Sequence, residues 1–178
     1  MEKLIITCAI TGAETMKQAC PPLPTTPDEQ AQAAYDCWKA GATVIHLHVR
    51  DDQGKPTPSL ARFKESIEKI RAKCPVIIQI STGGAVGDPM DQRMAPLALK
   101  PEMASLNTGS INFGDDVFIN HPREVEALAA KIYGLGIMPE LEIYDFGMLE
   151  ATLRMLKKGI LKEPAHFQFV LGTSHGMS

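Results

Sequence analysis

The sequence predicts an α/β protein, most of a TIM-type (β/α)₈ barrel, and three observations favour that fold class. Short apolar runs rich in β-branched residues alternate with longer segments of helical spacing, as successive βαβ units require. The connection after the first predicted strand contains Pro21, Pro22 and Pro24 and lacks the G-x-G-x-x-G turn of a dinucleotide-binding sheet. Polar side chains end several strands, on the side where a barrel builds its active site.

The elements follow one another as six strands and five helices. We predict strands at residues 4–10, 43–49, 76–81, 103–107, 138–144 and 166–171. Helices are predicted at residues 27–40, 59–73, 91–99, 122–133 and 147–158, the first opened by Thr26 as N-cap. A complete eight-unit barrel takes about 250 residues, and this sequence has 178 residues. We therefore expect a single domain over residues 1–178, an incomplete barrel truncated after its sixth strand.

The composition is that of an ordinary globular protein, with 44% hydrophobic residues, 22% charged residues and a net charge of -3. This balance lacks the basic excess that favours nucleic acid or an anionic membrane as a partner. Because the sequence shows neither a signal peptide nor a membrane-spanning run, we expect a cytoplasmic protein. The cysteines form no Cys-x-x-Cys pair and are interpreted as free thiols: Cys8, Cys20, Cys37 and Cys74.

The second predicted strand contains a His-x-His pair, His46 and His48. Side chains two residues apart in a strand point to the same face, so these imidazoles lie roughly 7 Å apart along the chain and can converge on one metal ion. Neutral imidazole suits zinc, with iron, cobalt and manganese as other candidates. The alternative is a pair of core or surface histidines. We favour metal, because buried imidazole nitrogens need partners.

The third and fourth predicted strands also end in polar residues. Ser81 and Thr82 precede two glycines, and the unhindered backbone amides around Gly84 can hold an anion such as a carboxylate. An ordinary strand-ending turn is the alternative. Ser105 and Asn107 share one face of the fourth strand, where they either bind substrate or fill a layer of the barrel.

Two glutamates are further candidates, Glu14 in the long first loop and Glu142 in the fifth predicted strand. Glu142 shares a face with Glu140, and carboxylates inside a barrel need a partner such as a metal or a substrate cation. A solvated loop residue and a structural ion pair are the respective alternatives. His121 and His166 are interpreted as structural or exposed, and His175 remains an open candidate.

Taken in order, these motifs resemble the β-keto acid cleavage enzymes. The resemblance runs from residue 4 to about residue 172 and rests on AITGAE at 9–14, GA at 41–42, VIHLH at 44–48, QISTGG at 79–84, KPEMA at 100–104, NFGDD at 112–116 and FVLG at 169–172. It implies a zinc-dependent barrel that exchanges a β-keto acid with acetyl-CoA to give acetoacetate and a new CoA ester. Family members of lysine fermentation act on 3-keto-5-aminohexanoate, and the family forms homo-oligomers, notably tetramers.

The resemblance also assigns roles to individual residues. It implies that His46 and His48 bind zinc, and that Glu14 binds the substrate's amino group. Residues implied to hold the carboxylate or keto end are Ser81, Gly84 and Ser105. The family's third zinc ligand, a glutamate, and its catalytic arginine and aspartate would lie beyond Ser178, so we expect this chain alone to be inactive or poorly active. Within the chain, Glu142, His175 or a water are the candidates to complete the metal shell, and Glu142 is the candidate catalytic residue.

Two other function classes stay open at this point. Amidohydrolases also bind metal through a His-x-His pair in a barrel, but they place that pair on the first strand. A barrel remnant without catalytic activity, assembled with other chains over its open strand edges, is the second alternative.

Overall fold

A computed structural model describes residues 3–173 and shows one parallel β-sheet flanked by helices. The sheet contains six strands in the order β1-β2-β3-β4-β7-β8, which are Thr7–Thr11, Val44–Leu47, Ile77–Ile80, Met103–Asn107, Met138–Ile143 and His166–Phe169. Every neighbouring pair in this sheet is parallel. The predicted α/β class is therefore confirmed.

Strand order separates a barrel from a doubly wound sheet. A doubly wound sheet reverses its strand order at a switch point, whereas here each strand of the sheet lies beside the next one along the chain. In the part of the chain that the structure describes, β1 and β8 are the two edges of the sheet and do not pair with each other. The predicted barrel type is confirmed as six consecutive strands of a β/α barrel.

The helices lie close to their predicted positions. They are α1 (Pro27–Lys39), α2 (Leu60–Lys73), α3 (Met90–Met94), α4 (Pro122–Gly134) and α5 (Phe146–Lys157). Thr26 caps α1 in a capping box, in which its side chain accepts from the backbone N–H of Glu29 and the Glu29 carboxylate accepts from the backbone of Thr26. The segment predicted as one helix at 91–99 is split, since α3 is followed by a 3₁₀ helix at Ala95–Leu99.

A β-hairpin after β4 is absent from the prediction. Its strands are β5 (Ile111–Phe113) and β6 (Asp116–Phe118), and Gly114 between them has φ +62°, a conformation that favours glycine. Three-residue strands are too short to show a reliable alternation of polar and apolar residues, so the sequence signal was weak. The first strand was also predicted too early, because Leu4 and Ile5 are 82% and 64% exposed and precede β1.

The outer face of the sheet packs against the helices as the strand pattern predicts. Ile45 and Leu47 of β2 are fully buried and belong to the main hydrophobic cluster, together with Ile78 of β3 and Leu106 of β4. Burial of each such side chain contributes about 1.5 to 3 kcal/mol relative to exposure. This packing fixes which residues of each strand face the interior.

The extent of the domain, residues 1–178, stays a prediction. No helix among the described residues has the length and apolar character needed to cross a membrane.

Candidate active site

The polar ends of the strands surround one cavity of about 270 Å³. It lies at the carboxyl ends of the strands, where the loops that follow them converge. Five of the six binding residues proposed from the sequence line it, namely Glu14, His46, His48, Ser81 and Gly84, and only Ser105 of the six does not. Glu142 also lines it, and so do Gly12, Ala13, Thr15, Gly83, Val86, Asn107, Phe113, Phe118 and Tyr144.

His46 of β2 and His48, the first residue beyond that strand, lie side by side with ring centroids 5.2 Å apart. His46 Nδ1 lies 2.6 Å from Oε1 of Gln79, a fully buried residue of β3. An amide oxygen carries no proton, so in this contact the ring donates from Nδ1 and Nε2 keeps its lone pair. The imidazole is thereby oriented as metal-binding histidines are, with one nitrogen donating and the other available as a ligand.

His48 is held in its neutral form. Burial, then the neighbouring His46, then Arg50, lower the pKa of His48 to about 3. An imidazole with that pKa is uncharged at neutral pH and offers a lone pair without first losing a proton. Both histidines of the pair are therefore suited to bind a metal ion.

Two buried carboxylates of β7 lie near His46, in a group of possible ligands that does not include His48. Possible ligand atoms of His46, Glu140 and Glu142 all lie within 4.8 Å of one another. Asn107 donates from Nδ2 to Glu142 at 2.7 Å, and burial raises the pKa of Glu142. The predicted common face of the two glutamates is confirmed. Among the described residues Glu142 has no ion-pair partner, so the structural ion pair considered above is not what holds it.

His166 of β8 contacts one of these two carboxylates, that of Glu140. Its Nε2 lies 3.2 Å from Oε2 of Glu140, whose Oε1 is buried and has no hydrogen-bond partner among the described residues. The interpretation of His166 as structural fits this contact. His121 caps α4 by accepting from the backbone N–H of Arg123, so it too has a structural role. His175 lies outside the described residues.

The loop after β3 forms one wall of the cavity. Gly84 has φ +66°, and a Cβ on it would lie 2.6 Å from Oδ2 of Asp88, so only glycine fits. The same Asp88 oxygen accepts from the backbone N–H of Ala85 at 2.8 Å. Ser81 Oγ accepts from the backbone N–H of Gly83 at 3.1 Å, which leaves its own proton free to donate into the cavity. The loop combines a hydroxyl donor with a tight backbone turn.

Ser105 lies one layer away from the cavity. It is fully buried, and its Oγ accepts from the backbone N–H of Thr82 at 3.1 Å while its carbonyl accepts from the Thr82 hydroxyl at 2.7 Å. These bonds fasten the carboxyl end of β3 to β4. The direct role in substrate binding implied for Ser105 stays a prediction, since the described contacts of its side chain are to this backbone.

The β5–β6 hairpin adjoins this loop and adds Phe113 and Phe118 to the cavity wall. Buried Arg93 of α3 donates to the carbonyls of Thr82 and Ile119 and to Oδ1 of Asn120. Its guanidinium also lies over the ring of Phe118, 4.7 Å from the centroid. One side chain thus joins the β3 loop to the hairpin, and the hairpin supplies the apolar part of the cavity wall. The sequence reasoning missed both the hairpin and this arginine.

Glu14 belongs to the loop after β1 and is held in place indirectly. It is exposed at the cavity mouth. Arg50 is only 1% exposed, and its guanidinium donates hydrogen bonds to three backbone carbonyls. Nε and Nη2 donate to the carbonyl of Gly12, and Nη2 also donates to that of Thr15 at 2.8 Å. Nη1 donates to the carbonyl of Gly54 at 3.0 Å. The guanidinium therefore fastens the loop on both sides of Glu14. Strand parity with the histidine pair was a signal that could have identified Arg50 from the sequence.

The four cysteines do not form disulfides. Cys8 and Cys37 contact each other with Sγ atoms 3.1 Å apart, on the helix-facing side of the sheet. The expectation of free thiols is confirmed. None of the four lines the cavity, so a thiol nucleophile is not part of this site.

Comparisons with known proteins bear on this site. The family model described as beta-keto acid cleavage enzyme matches residues 3–178. The chain is 48% identical to the 3-keto-5-aminohexanoate cleavage enzyme of Fusobacterium nucleatum, with 100% of the chain and 66% of that protein covered. It is 40% identical to the 3-oxoadipate:acetyl-CoA acetyltransferase of Cupriavidus necator, with 97% of the chain and 61% of that protein covered. The chain thus spans just under two thirds of the length of these relatives.

A solved structure agrees with the fold. The ternary complex of ObcA with C4-CoA adduct and oxalate superposes with a TM-score of 0.78 at 22% sequence identity, over 86% of this chain and 38% of that one. At this identity the likeness supports the architecture of the six-stranded sheet.

Proposed function

Because the chain belongs to the β-keto acid cleavage enzyme family, we propose that it takes part in zinc-dependent transfer between a β-keto acid and acetyl-CoA. The keto acid loses its carboxymethyl group to the acetyl unit, which gives acetoacetate, and the remaining acyl group leaves as a CoA ester. The observation that carries this proposal is the cavity in which the histidine pair, Glu14, Ser81 and Gly84 meet. The acetyl-CoA in the names of relatives supports the co-substrate.

The residues present fit a zinc ion. His46 and His48 each offer a neutral nitrogen lone pair, and the unpartnered Oε1 of Glu140 and the oxygens of Glu142 add carboxylate donors nearby. We propose the two histidines as ligands, with a third ligand from Glu142 or from residues outside the described part. A zinc ion bound there would polarise the β-keto oxygen as a Lewis acid.

The remaining side chains have separate tasks in this proposal. Ser81 donates a hydrogen bond to the substrate's carboxylate or keto end, and the backbone at Gly84 lets that end approach closely. Ser105 supports the same wall through Thr82. Where the third metal ligand comes from elsewhere, Glu142 holds or accepts a proton at the reacting carbon, and burial raises the pKa of this carboxyl, which favours its protonated form.

Substrate choice is assigned to Glu14. A carboxylate at the cavity mouth pairs with a substrate ammonium group, so we propose 3-keto-5-aminohexanoate as the β-keto acid and lysine fermentation as the process. The name of the Fusobacterium relative supports this substrate. A cytoplasmic location and a homo-oligomer are further parts of the proposal.

Two ligands of opposite terminal charge test the role of Glu14. We expect calorimetric titration of zinc-loaded protein to show tighter binding of 3-keto-5-aminohexanoate than of 3-oxoadipate. Glu14→Gln should remove most of that preference. The control Glu150→Gln, at an exposed position on α5, should leave it unchanged. A preference that survives in Glu14→Gln would contradict the assignment.

Turnover tests the reaction itself. Acetoacetate formed from the keto acid and acetyl-CoA should appear only with zinc, and His48→Ala should abolish it. Because the chain covers 66% of the length of the Fusobacterium relative, the assay uses both the 178-residue chain and a protein extended to that length. Ligand binding without turnover in the extended protein would favour the non-catalytic alternative. The location of the histidine pair at the end of β2 rather than on β1 argues against an amidohydrolase.

A further inference from the structure

The buried amide of Gln79 contacts one metal-ligand candidate directly. We propose that Gln79 is a positioning residue that fixes the tautomer of His46 and so determines which ring nitrogen binds metal. This inference rests on the proposed zinc site, but it concerns a property of the protein that exists without the ion. The two residues face each other in the β2–β3 pairing register, His46 with Gln79.

The geometry of the contact is that of a strong hydrogen bond. Gln79 Oε1 and His46 Nδ1 are 2.6 Å apart, both within the sheet interior, and Gln79 is fully buried. The two strands pair with regular parallel register from Val44 to Leu47, so the backbone holds both side chains at this separation. Exchange of this bond for one to water is therefore disfavoured at this position.

The consequence for the ring is a single tautomer. The Nδ1–H form donates to Gln79 and leaves Nε2 as the nitrogen with the free lone pair. The Nε2–H form would place two unprotonated acceptors, Nδ1 and Oε1, against each other at 2.6 Å. With its amide oxygen towards the ring, as the structure shows, Gln79 therefore selects the Nδ1–H form.

The orientation of the amide depends on His46 in turn. Gln79 Nε2 has no hydrogen-bond partner among the described residues, so no other described group holds the amide with its oxygen towards the ring. A ligand that takes the lone pair of Nε2 requires a proton on Nδ1, and this proton selects the same amide orientation. Metal binding and the Gln79 contact therefore favour one another.

A glutamine elsewhere in the core provides a matched control. Gln30 of α1 is also almost fully buried, and it donates to Thr11 Oγ1 and to the His48 carbonyl and accepts from Ser66. It contacts no imidazole ring. Gln30→Met therefore removes a buried amide of the same kind without removing an acceptor from Nδ1. Gln79→Glu keeps an acceptor at the ring, and Gln79→Met removes it.

The first measurement reads the tautomer in metal-free protein. Long-range ¹H–¹⁵N correlation at a pH where the imidazole is neutral distinguishes Nδ1–H from Nε2–H, and loss of signals in His46→Asn assigns the ring. We expect Nδ1–H in the wild type, in Gln79→Glu and in Gln30→Met, and a shift towards Nε2–H in Gln79→Met. An Nε2–H ring at His46 in the wild type overturns the inference, whether or not zinc binds.

The second measurement is the zinc dissociation constant, from competition with a chromogenic chelator. We expect Gln79→Met to weaken zinc binding by about 10- to 100-fold, as loss of an outer hydrogen-bond partner of a metal ligand does. Gln79→Glu should restore binding, and Gln30→Met, which removes a bond to the His48 backbone but none to an imidazole ring, should weaken it less than Gln79→Met does. Equal weakening by Gln79→Met and Gln30→Met would mean that only core packing was lost. Absence of zinc binding in the wild type refutes the proposed metal and leaves the tautomer result to decide the role of Gln79.

Discussion

Arg50→Met tests whether a buried guanidinium holds the loop that carries Glu14. The substitution keeps a long apolar stem and removes every donor to the carbonyls of Gly12, Thr15 and Gly54. Hydrogen bonds from a charged donor each contribute about 1.5 to 3 kcal/mol net. Gly12 and Thr15 are exposed residues, so their carbonyls can regain water in the variant, which reduces the loss.

Removal of the guanidinium also removes its own desolvation cost, and burial indeed lowers the pKa of Arg50. We therefore expect the free energy of unfolding to fall by about 3 kcal/mol, nearer the value of one or two strong bonds than of all four. For a domain with a total stability of about 5 to 15 kcal/mol, this is a large effect. Urea unfolding followed by circular dichroism, with the slope compared between variants, measures it.

Arg71→Met is the matched control. Arg71 is half-exposed and pairs with Glu102 on the surface, so its loss should cost about 0 to 1 kcal/mol. A second variant, Arg50→Lys, keeps the charge but not the planar fork and should recover only part of the stability. If Arg50→Met and Arg71→Met unfold at the same urea concentration, the guanidinium does not hold the loop and the reasoning fails.

Three further predictions concern the capping box, the β3 loop and the metal. Lys17 and backbone amides at the start of α1 lower the pKa of Glu29 to about 2. The ionised Glu29 carboxylate therefore stabilises the fold fully above about pH 4.5, and this stabilisation is lost as the pH falls towards 2. The difference in unfolding free energy between wild type and Glu29→Gln should shrink over that range. Gly84→Ala should destabilise more than Gly136→Ala, by thermal midpoint, since both glycines have positive φ but only Gly84 has a carboxylate at the Cβ position. Zinc at about 100 times its dissociation constant should add about 2.7 kcal/mol of stability, an increase that calorimetry should not detect in His48→Ala.

The strands and long helices were predictable because their signals are local. Apolar runs such as 43–49 and helical spacing such as 59–73 depend on side-chain periodicity, which the chain displays without reference to distant residues. The capping box at Thr26 was likewise visible as a short pattern. Errors occurred where the signal was short or absent, in the six hairpin residues of β5 and β6 and in the exposed apolar run before β1.

The site was predictable only in part, for a different reason. Parity within one strand identified His46 with His48 and Glu140 with Glu142, because residues two apart share a face. The contact of His46 with Gln79 joins two strands 33 residues apart and depends on their register, which the sequence did not reveal. For Ser105 the strand was predicted correctly, but the direction of the side chain was not. Its Oγ accepts a hydrogen bond from the backbone of Thr82 and does not face the cavity.

The cavity is built from two kinds of support, and they should respond differently to mutation. The side chains proposed to bind metal lie on β2, directly after it and on β7, where strand register and an apolar outer layer hold them. Glu14 stands on a loop that depends on Arg50. Loosening that loop should therefore reduce discrimination for an amino-bearing keto acid while the zinc dissociation constant stays close to that of the wild type. If both proposed roles hold, such a separation would let one barrel-type metal site serve keto acids with different end groups, because Glu14 is not part of the sheet that carries the proposed metal ligands.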